Sequence, residues 1–327
     1  MLYVHGIGHF HPDNIIDNQF LESLNIGTNN EWIMERVGIR ERRTVLSLDY
    51  IKETQNKIPL ASGPHIQFTN AQTGALAVRM ALERANLSPK DIGLVIAGSC
   101  SPQYLIPAEA CTIAAELKIN VPAFDINSAC STFAVQMHMI NQMQESSMPD
   151  YVLLVIPDNS TRTINYSDRN STVLWGDCSA AIVVSKKHVS NMRVIGTTIS
   201  SNPSAWEKVV TPTGEHFRQK GSAVQHFAIK KTIETVKKLS LEYSKLPEQC
   251  YFIGHQANLM MLHSVCHSLN ILEEKHLYNV DQFGNCGAAG APSVLSQNWN
   301  KFKTGDSILT SVVGSGLTWG GMLIEIN

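Results

Sequence analysis

The chain has 327 residues, 43% hydrophobic and 17% charged, with a formal net charge of -2 and no block of like charge. Such a composition supports a large buried core, in two domains or one large one, and excludes a disordered tail or a basic nucleic-acid-binding surface. No apolar run is long enough to span a membrane, and the N-terminus has neither the basic start nor the long apolar stretch of a secretory signal. The seven cysteines are odd in number and form no CxxC pair, as expected of reduced thiols in a cytoplasmic protein without disulfides or a thiolate zinc site.

Leu2 to Gly8 reads as a strand entering a glycine turn. His5, His9 and His11 lie close together there, but no carboxylate or cysteine is arranged in sequence to complete a shell, so no metal is expected. Asn14 to Leu24 and Asn29 to Val37 read as two short helices, the second with Trp32 and Arg36 on one face. Such a pair can grip a flat, phosphate-bearing ligand, or it can simply be a packed Trp under a snorkelling Arg. Arg40 to Phe68 is polar and turn-rich, an excursion of lid or arm type. Thr69 to Ala85 is a strong amphipathic helix, LVIAGSC a buried strand, and Ile106 to Leu117 a further helix.

Val121 to Ile126 is β-favouring and meets a small polar turn carrying Cys130, with a helical pattern running on to Met143. Cys130 at a helix N-terminus is favoured as a thiolate; it can equally be a small buried apolar residue. YVLLVIPD has the continuous apolar character of a strand covered on both faces, and another strand ends near Ser185. The second half repeats the rhythm. VIGTTISSN is a strand, Ser204 to Gly221 is irregular, and Val224 to Leu241 is a long helix. YFIG is a strand ending at His255 before a helix, and a glycine-rich turn around Asn285 opens another helix. Two strands joined by a glycine turn close the chain. Alternating strands and helices predict an α/β fold with a parallel or mixed sheet, and the parallel order of elements makes a duplicated architecture plausible.

Cys130 follows a strand, His255 ends one, and Asn285 sits in a flexible glycine turn at a helix start. Singly the last two read as structural residues, but strand ends in α/β folds converge on one crevice, where the three can meet. A Cys with a His and an Asn suits two chemistries. In a thiol protease His is the base and Asn orients it, although the local cysteine signature of that group is missing. Alternatively His and Asn both donate to one oxyanion, which suits enolate chemistry on a thioester.

The motifs DINSAC, GHQAN, FGNCGAAGAP and GSGLTWG, with NEWIMERVGIRER near the N-terminus, resemble in order and spacing the signatures of the β-ketoacyl-acyl-carrier-protein synthase III family of thiolase-fold condensing enzymes. The resemblance covers essentially the whole chain. It implies a thiolase-like five-layered αβαβα fold of two pseudo-duplicated halves, divided here at 1–184 and 185–327. It also implies a homodimer and a ping-pong decarboxylating condensation without metal or organic cofactor. By the same resemblance Cys130 would accept an acyl group from acyl-CoA, while His255 and Asn285 would hold the carbonyl of a malonyl-type thioester. Backbone N–H groups of Cys130 and Ser315 would form the oxyanion hole. Trp32, Arg36, Arg169 and Asn258 would bind coenzyme A, and Ile106, Phe133 and Trp175 would line the acyl pocket.

Departures from the family pattern point to a specialised member. Met260 stands where members that dock acyl carrier protein usually carry an arginine, which weakens that contact but leaves carrier protein a possible partner. Ile106 replaces a frequent phenylalanine, Cys286 and Gly287 replace Thr and Ser, and the stretch from Arg43 to Phe68 is longer than usual. Acyl transfer to an alcohol, amine or other non-malonyl nucleophile is the alternative activity. Intact Cys130, His255 and Asn285 argue against a catalytically silent acyl-binding partner.

Overall fold

The structure is a computed structural model and describes residues 1–59 and 63–327. Nine strands build its main sheet: β1 (Leu2–Phe10), β2 (Ile92–Ala97), β3 (Ala123–Asp125), β4 (Tyr151–Asp158), β5 (Cys178–Ser185), β6 (Met192–Ser201), β7 (Tyr251–Gly254), β8 (Ser307–Gly314) and β9 (Thr318–Ile326). The helices that layer against it are α1 (Asn70–Ala85), α2 (Glu109–Glu116), α3 (Thr132–Gln142), α4 (Gly221–Glu242), α5 (Leu259–Leu269) and α6 (Gly290–Gln297).

The spatial order is β7-β8-β9-β6-β1-β5-β4-β2-β3. A short antiparallel pairing, Leu2–Val4 with Met192–Val194, joins β1 to β6. On either side of that seam the topology repeats. In the first half β2 is parallel to β3 and β4, β4 is antiparallel to β5, and β5 to β1. In the second, β7 is parallel to β8, β8 antiparallel to β9, and β9 to β6. A lone parallel bridge from Phe252 to His276 occupies the place that β3 holds in the first half.

Five layers follow from what packs on what. α1 and α2 cover the outer face of the first sheet half, and α4 covers that of the second, with α5 against α4. Between the halves lie α3, which touches β4, β6, β8 and β9, and α6, which touches β1, β5 and β7. A helix between two sheets must be apolar nearly all round. α3 meets this with Phe133, Ala134, Met137 and Ile140 in the main core, and α6 with Ala291, Val294 and Leu295. β4 and β5, covered on both faces, read as the unbroken apolar runs such strands require.

Two readings of the N-terminal region need correction. Asn14–Asp17 is a strand, paired antiparallel with Glu41–Thr44, and the helix that follows spans only Asn18–Ser23. The Asp17 carboxylate accepts from the Phe20 N–H at 2.6 Å, so it caps a helix that starts there and does not extend back to Asn14. Arg40 to Phe68 contains that second strand and a helix at Leu48–Thr54. Leu60, Ala61 and Ser62 of this excursion lie outside the described residues.

Candidate active site

The turn from β3 to α3 presents Cys130. Ala129 adopts a left-handed conformation, with φ at 46°, a region an alanine enters only under structural constraint. The chain thereby reverses sharply, and Ser131 becomes the residue that precedes the helix. Cys130 thus sits just outside the helix N-terminus, where nearby N–H groups favour a thiolate. Its sulfur lies 3.7 Å from that of Cys100. The thiol is held well below its ordinary range, first by the hydrogen bond from Cys100 and then by His255, and against the opposing effect of burial.

His255 follows β7 and is buried, and Asn285 is buried in the turn after the short helix Val280–Phe283. Asn285 is clamped by its backbone: its N–H donates to Leu174 O at 2.7 Å, and its own carbonyl accepts from Gly176 N–H at 3.1 Å. Its Oδ1 accepts from the Gly287 N–H at 3.0 Å, so the amide NH2 is the group left to donate to a ligand. The β8–β9 turn closes the site. A Cβ on Gly314 would stand 2.7 Å from Ser131 N and 3.0 Å from Cys130 N, so only glycine lets this backbone lie against the amides of the cysteine turn.

Cys130, His255, Asn285 and Ser315 line one cavity of about 330 Å³. Trp32, Arg36 and Asn258 line it as well. Arg36 and Arg169 lie over the Trp32 ring, at 4.7 Å and 4.9 Å from its centroid. Arg169 donates to Gly27 O at 2.6 Å and does not itself line the cavity. Asn258 caps α5 through the Met261 N–H at 3.1 Å and donates to Arg36 O at 3.3 Å, which ties this helix to the one carrying Trp32.

Asp158, fully buried at the end of β4, fastens two of these turns together. Its Oδ1 accepts from Ser99 Oγ at 2.8 Å and Cys100 N–H at 2.5 Å, and its Oδ2 from Ala288 N–H at 2.6 Å. Burial and the nearby Cys130 push its carboxyl up to about 7 despite these donors. Sequence reading missed this residue, because YVLLVIPD ends in an aspartate that looks like an ordinary strand terminus.

The chain matches two family models, that of 3-oxoacyl-[acyl-carrier-protein (ACP)] synthase III over residues 124–203 and that of its C-terminal region over 245–326. The β-ketoacyl-[acyl-carrier-protein] synthase III of Aquifex aeolicus is 31% identical over 98% of this chain and 98% of its own length. The chain belongs to the β-ketoacyl-acyl-carrier-protein synthase III family. The Aliarcobacter butzleri synthase III is 30% identical, covering 98% of this chain and 96% of its own. The crystal structure of 3-oxoacyl-[acyl-carrier-protein] synthase III from Aquifex aeolicus superposes with a TM-score of 0.88 at 29% identity, covering 99% and 100% of the two chains. The priming β-ketosynthase of the R1128 polyketide pathway shares the fold, with a TM-score of 0.85 at 22% identity, covering 100% of this chain and 96% of its own. As a synthase III, the protein is an acyltransferase of the condensing class with a thiolase-like fold.

Within this synthase III chain the expected acyl-pocket residues divide. Trp175 lines the cavity and meets Phe217 edge-on at 4.8 Å. Phe133 does not line it. Phe133 lies on the face of α3 that fills the main core between the sheets, while Cys130 belongs to the apolar cluster on the other side of the turn. Ile106 does not line it either: it is 85% exposed, on an irregular loop before α2 that projects from the chain. Among the described residues, none from 44 to 68 lines the cavity. Met260 packs against Gly38, its Cε 2.9 Å from where a Cβ would stand.

Several lining residues were invisible in the sequence. Ser204 to Gly221 forms a turn, a two-stranded hairpin of 209–210 with 218–219, and the entry to α4. Val209, Phe217 and Gln219 from the hairpin, with Val224, Gln225 and Ala228 from α4, form one wall. Ser315 Oγ donates to Val209 O at 2.5 Å and ties this wall to the glycine turn.

The histidines near the N-terminus also look different in three dimensions. His11, Cys178 and Cys286 bring possible ligand atoms within 4.8 Å of one another, so cysteines do approach His11, contrary to expectation from the sequence. His11 stacks on Phe283 at 3.8 Å, and among the described residues its buried Nδ1 has no acceptor of the kind that orients a ligating imidazole.

Proposed function

We propose that this synthase III loads an acyl group from acyl-CoA onto Cys130 and condenses it with a malonyl-type thioester, with loss of carbon dioxide. The convergence of Cys130, His255, Asn285 and the Ser315 turn on one cavity carries this reading. The Cys130 thiolate attacks the acyl thioester carbonyl, and coenzyme A leaves as its thiolate. The malonyl-type thioester then binds with its carbonyl oxygen between His255 and the Asn285 NH2. Its carbon–carboxylate bond breaks, carbon dioxide departs, and the electron pair becomes an enolate held by those two donors. The enolate carbon attacks the acyl-Cys130 carbonyl. The backbone N–H groups of Cys130 and Ser315 hold the resulting oxyanion, which collapses to expel the Cys130 thiolate and release a β-ketoacyl thioester.

Trp32 offers the cavity a flat ring held by two guanidinium groups, which suits the adenine and phosphates of coenzyme A. Arg36 and Arg169 both lie over that ring, and Asn258 lines the same cavity. Trp175 and Phe217 bound the space left for the acyl chain. No step requires a metal or organic cofactor. The chain functions as two halves, 1–184 supplying the nucleophile and 185–327 supplying His255 and Asn285. It works in the cytoplasm as a homodimer, in fatty-acid or polyketide-like lipid synthesis. Tyr104, Leu105 and Ile106, exposed at 52%, 79% and 85%, form an apolar loop suited to cover by a second copy. Acyl carrier protein as donor or acceptor would have to be gripped without the arginine that Met260 replaces.

The test is carbon dioxide release from malonyl-CoA and malonyl carrier protein by acylated enzyme. The condensing reading expects one carbon dioxide per acyl group consumed, and its loss in Asn285→Ala. Acyl-group turnover onto alcohols or amines without carbon dioxide would establish the alternative activity.

A further inference from the structure

The second thiol beside Cys130 supports the thiolate but forms and breaks no bond in the proposed condensation. Cys100 lies just beyond the end of β2 and Cys130 just beyond the end of β3, parallel neighbours in which Ala97 stands opposite Asp125. Strand pairing therefore delivers both cysteines to the same place, with their sulfurs 3.7 Å apart. The Cys100 backbone is pinned by its N–H to Asp158, while its side chain points at Cys130. Cys130 faces the cavity and Cys100 stands behind it, outside the lining.

We propose that Cys100 and Cys130 are a modification site, forming a reversible disulfide in which Cys100 is the resolving thiol for an oxidised Cys130. The co-reactant is a hydroperoxide small enough to enter the cavity. The Cys130 thiolate attacks the terminal peroxide oxygen, the O–O bond breaks, and the departing oxygen takes up a proton to leave as water or an alcohol. Cys130 is thereby oxidised to the sulfenic acid. Cys100 sulfur then attacks the Cys130 sulfur. The S–S bond forms, the S–O bond breaks, and the Cys100 proton leaves with the hydroxyl as water. The sulfurs must close from 3.7 Å to about 2.05 Å, a movement within reach of side-chain rotation.

The protonation states suit this division of labour. Cys130 is held toward the thiolate and so reacts first. Cys100 is pushed up by the hydrogen bond it donates to Cys130 and by burial, so it keeps its proton until the Cys130 charge is gone. The disulfide stops Cys130 short of the sulfinic acid, from which thiols cannot recover it. A reactive thiolate at Cys130 is all that the disulfide requires, so it stands or falls independently of the condensation reaction.

The full-length enzyme is treated with hydrogen peroxide and followed by intact mass and by peptide mapping without reduction. Wild type is expected to lose the mass of two hydrogens, to yield a Cys100–Cys130 cross-linked peptide, and to regain both thiols in dithiothreitol. Cys100→Ser is expected to gain two or three oxygens at Cys130 that dithiothreitol does not remove. In Cys130→Ala, Cys100 is expected to stay reduced, which supplies a reading should the serine variant fail to fold. Over-oxidation of Cys130 in wild type without that cross-link overturns the proposal. So does a cross-link confined to Cys178 and Cys286, the other close pair.

Discussion

Asp158→Asn separates two effects that Asp158 combines. The carboxylate accepts three hydrogen bonds, from Ser99, Cys100 and Ala288. An asparagine oxygen can keep the first two, but its NH2 then faces the Ala288 N–H, and an unpaired buried donor costs about 1–3 kcal/mol. Against this, the substitution removes a buried ionisable group whose carboxyl is pushed from 3.8 to about 7. Because the folded value lies above the unfolded one, the stability that Asp158 contributes is complete below pH 3.8. It declines as pH rises toward 7, where the folded protein must give up the proton. Each pH unit between the unfolded and folded values removes about 1.4 kcal/mol, so the decline has a ceiling of about 4 kcal/mol. The variant should therefore be less stable than wild type at pH 5, with the gap closing or reversing by pH 8. Urea denaturation of both proteins at pH 5, 6, 7 and 8 measures this through the midpoints. A gap that stays constant, or widens toward pH 8, would refute the reasoning about how Asp158 is buried.

The remaining predictions address the site directly. His255 helps hold Cys130 as a thiolate, so His255→Ala should move the midpoint of Cys130 alkylation by iodoacetamide to higher pH, read from the rate against pH. An unmoved midpoint would leave Cys100 and the helix end as the only supports of the thiolate. Trp32→Ala should raise KM for acyl-CoA roughly fivefold, the loss of about 1 kcal/mol of stacking, with kcat little changed. A fall in kcat at unchanged KM would place Trp32 outside the coenzyme A site.

The fold was legible where the chain obeys simple periodicities. The buried strands Tyr151–Asp158 and Cys178–Ser185 read as continuous apolar runs, and the long helices carried clear faces. The candidate triad was singled out through the family resemblance of DINSAC, GHQAN and FGNCGAAGAP. Strand-end convergence alone would not have chosen it, since Asn285 follows the short helix Val280–Phe283 and not a strand. Residues whose position depends on irregular backbone were not legible. Val209, Phe217 and Gln219 wall the cavity from a hairpin with two-residue strands, too short to show any period. Phe133, expected at the acyl pocket, stands in the main core outside the cavity lining: proximity in sequence to Cys130 says nothing about which side of a tight turn a helix face meets. Ile15 and Ile16 mimic a helical pattern, yet pairing with Arg42 and Arg43 holds them in a strand.

Acylation of Cys130 is the step on which the rest of the chemistry depends. Intact-mass spectrometry after exposure to a panel of acyl-CoAs, with peptide mapping of any adduct, measures it directly. A single acyl group on Cys130 that is lost on adding a malonyl thioester, and never forms in Cys130→Ala, is the predicted result. An adduct on another residue, or none with any acyl-CoA or acyl carrier protein, would contradict the account.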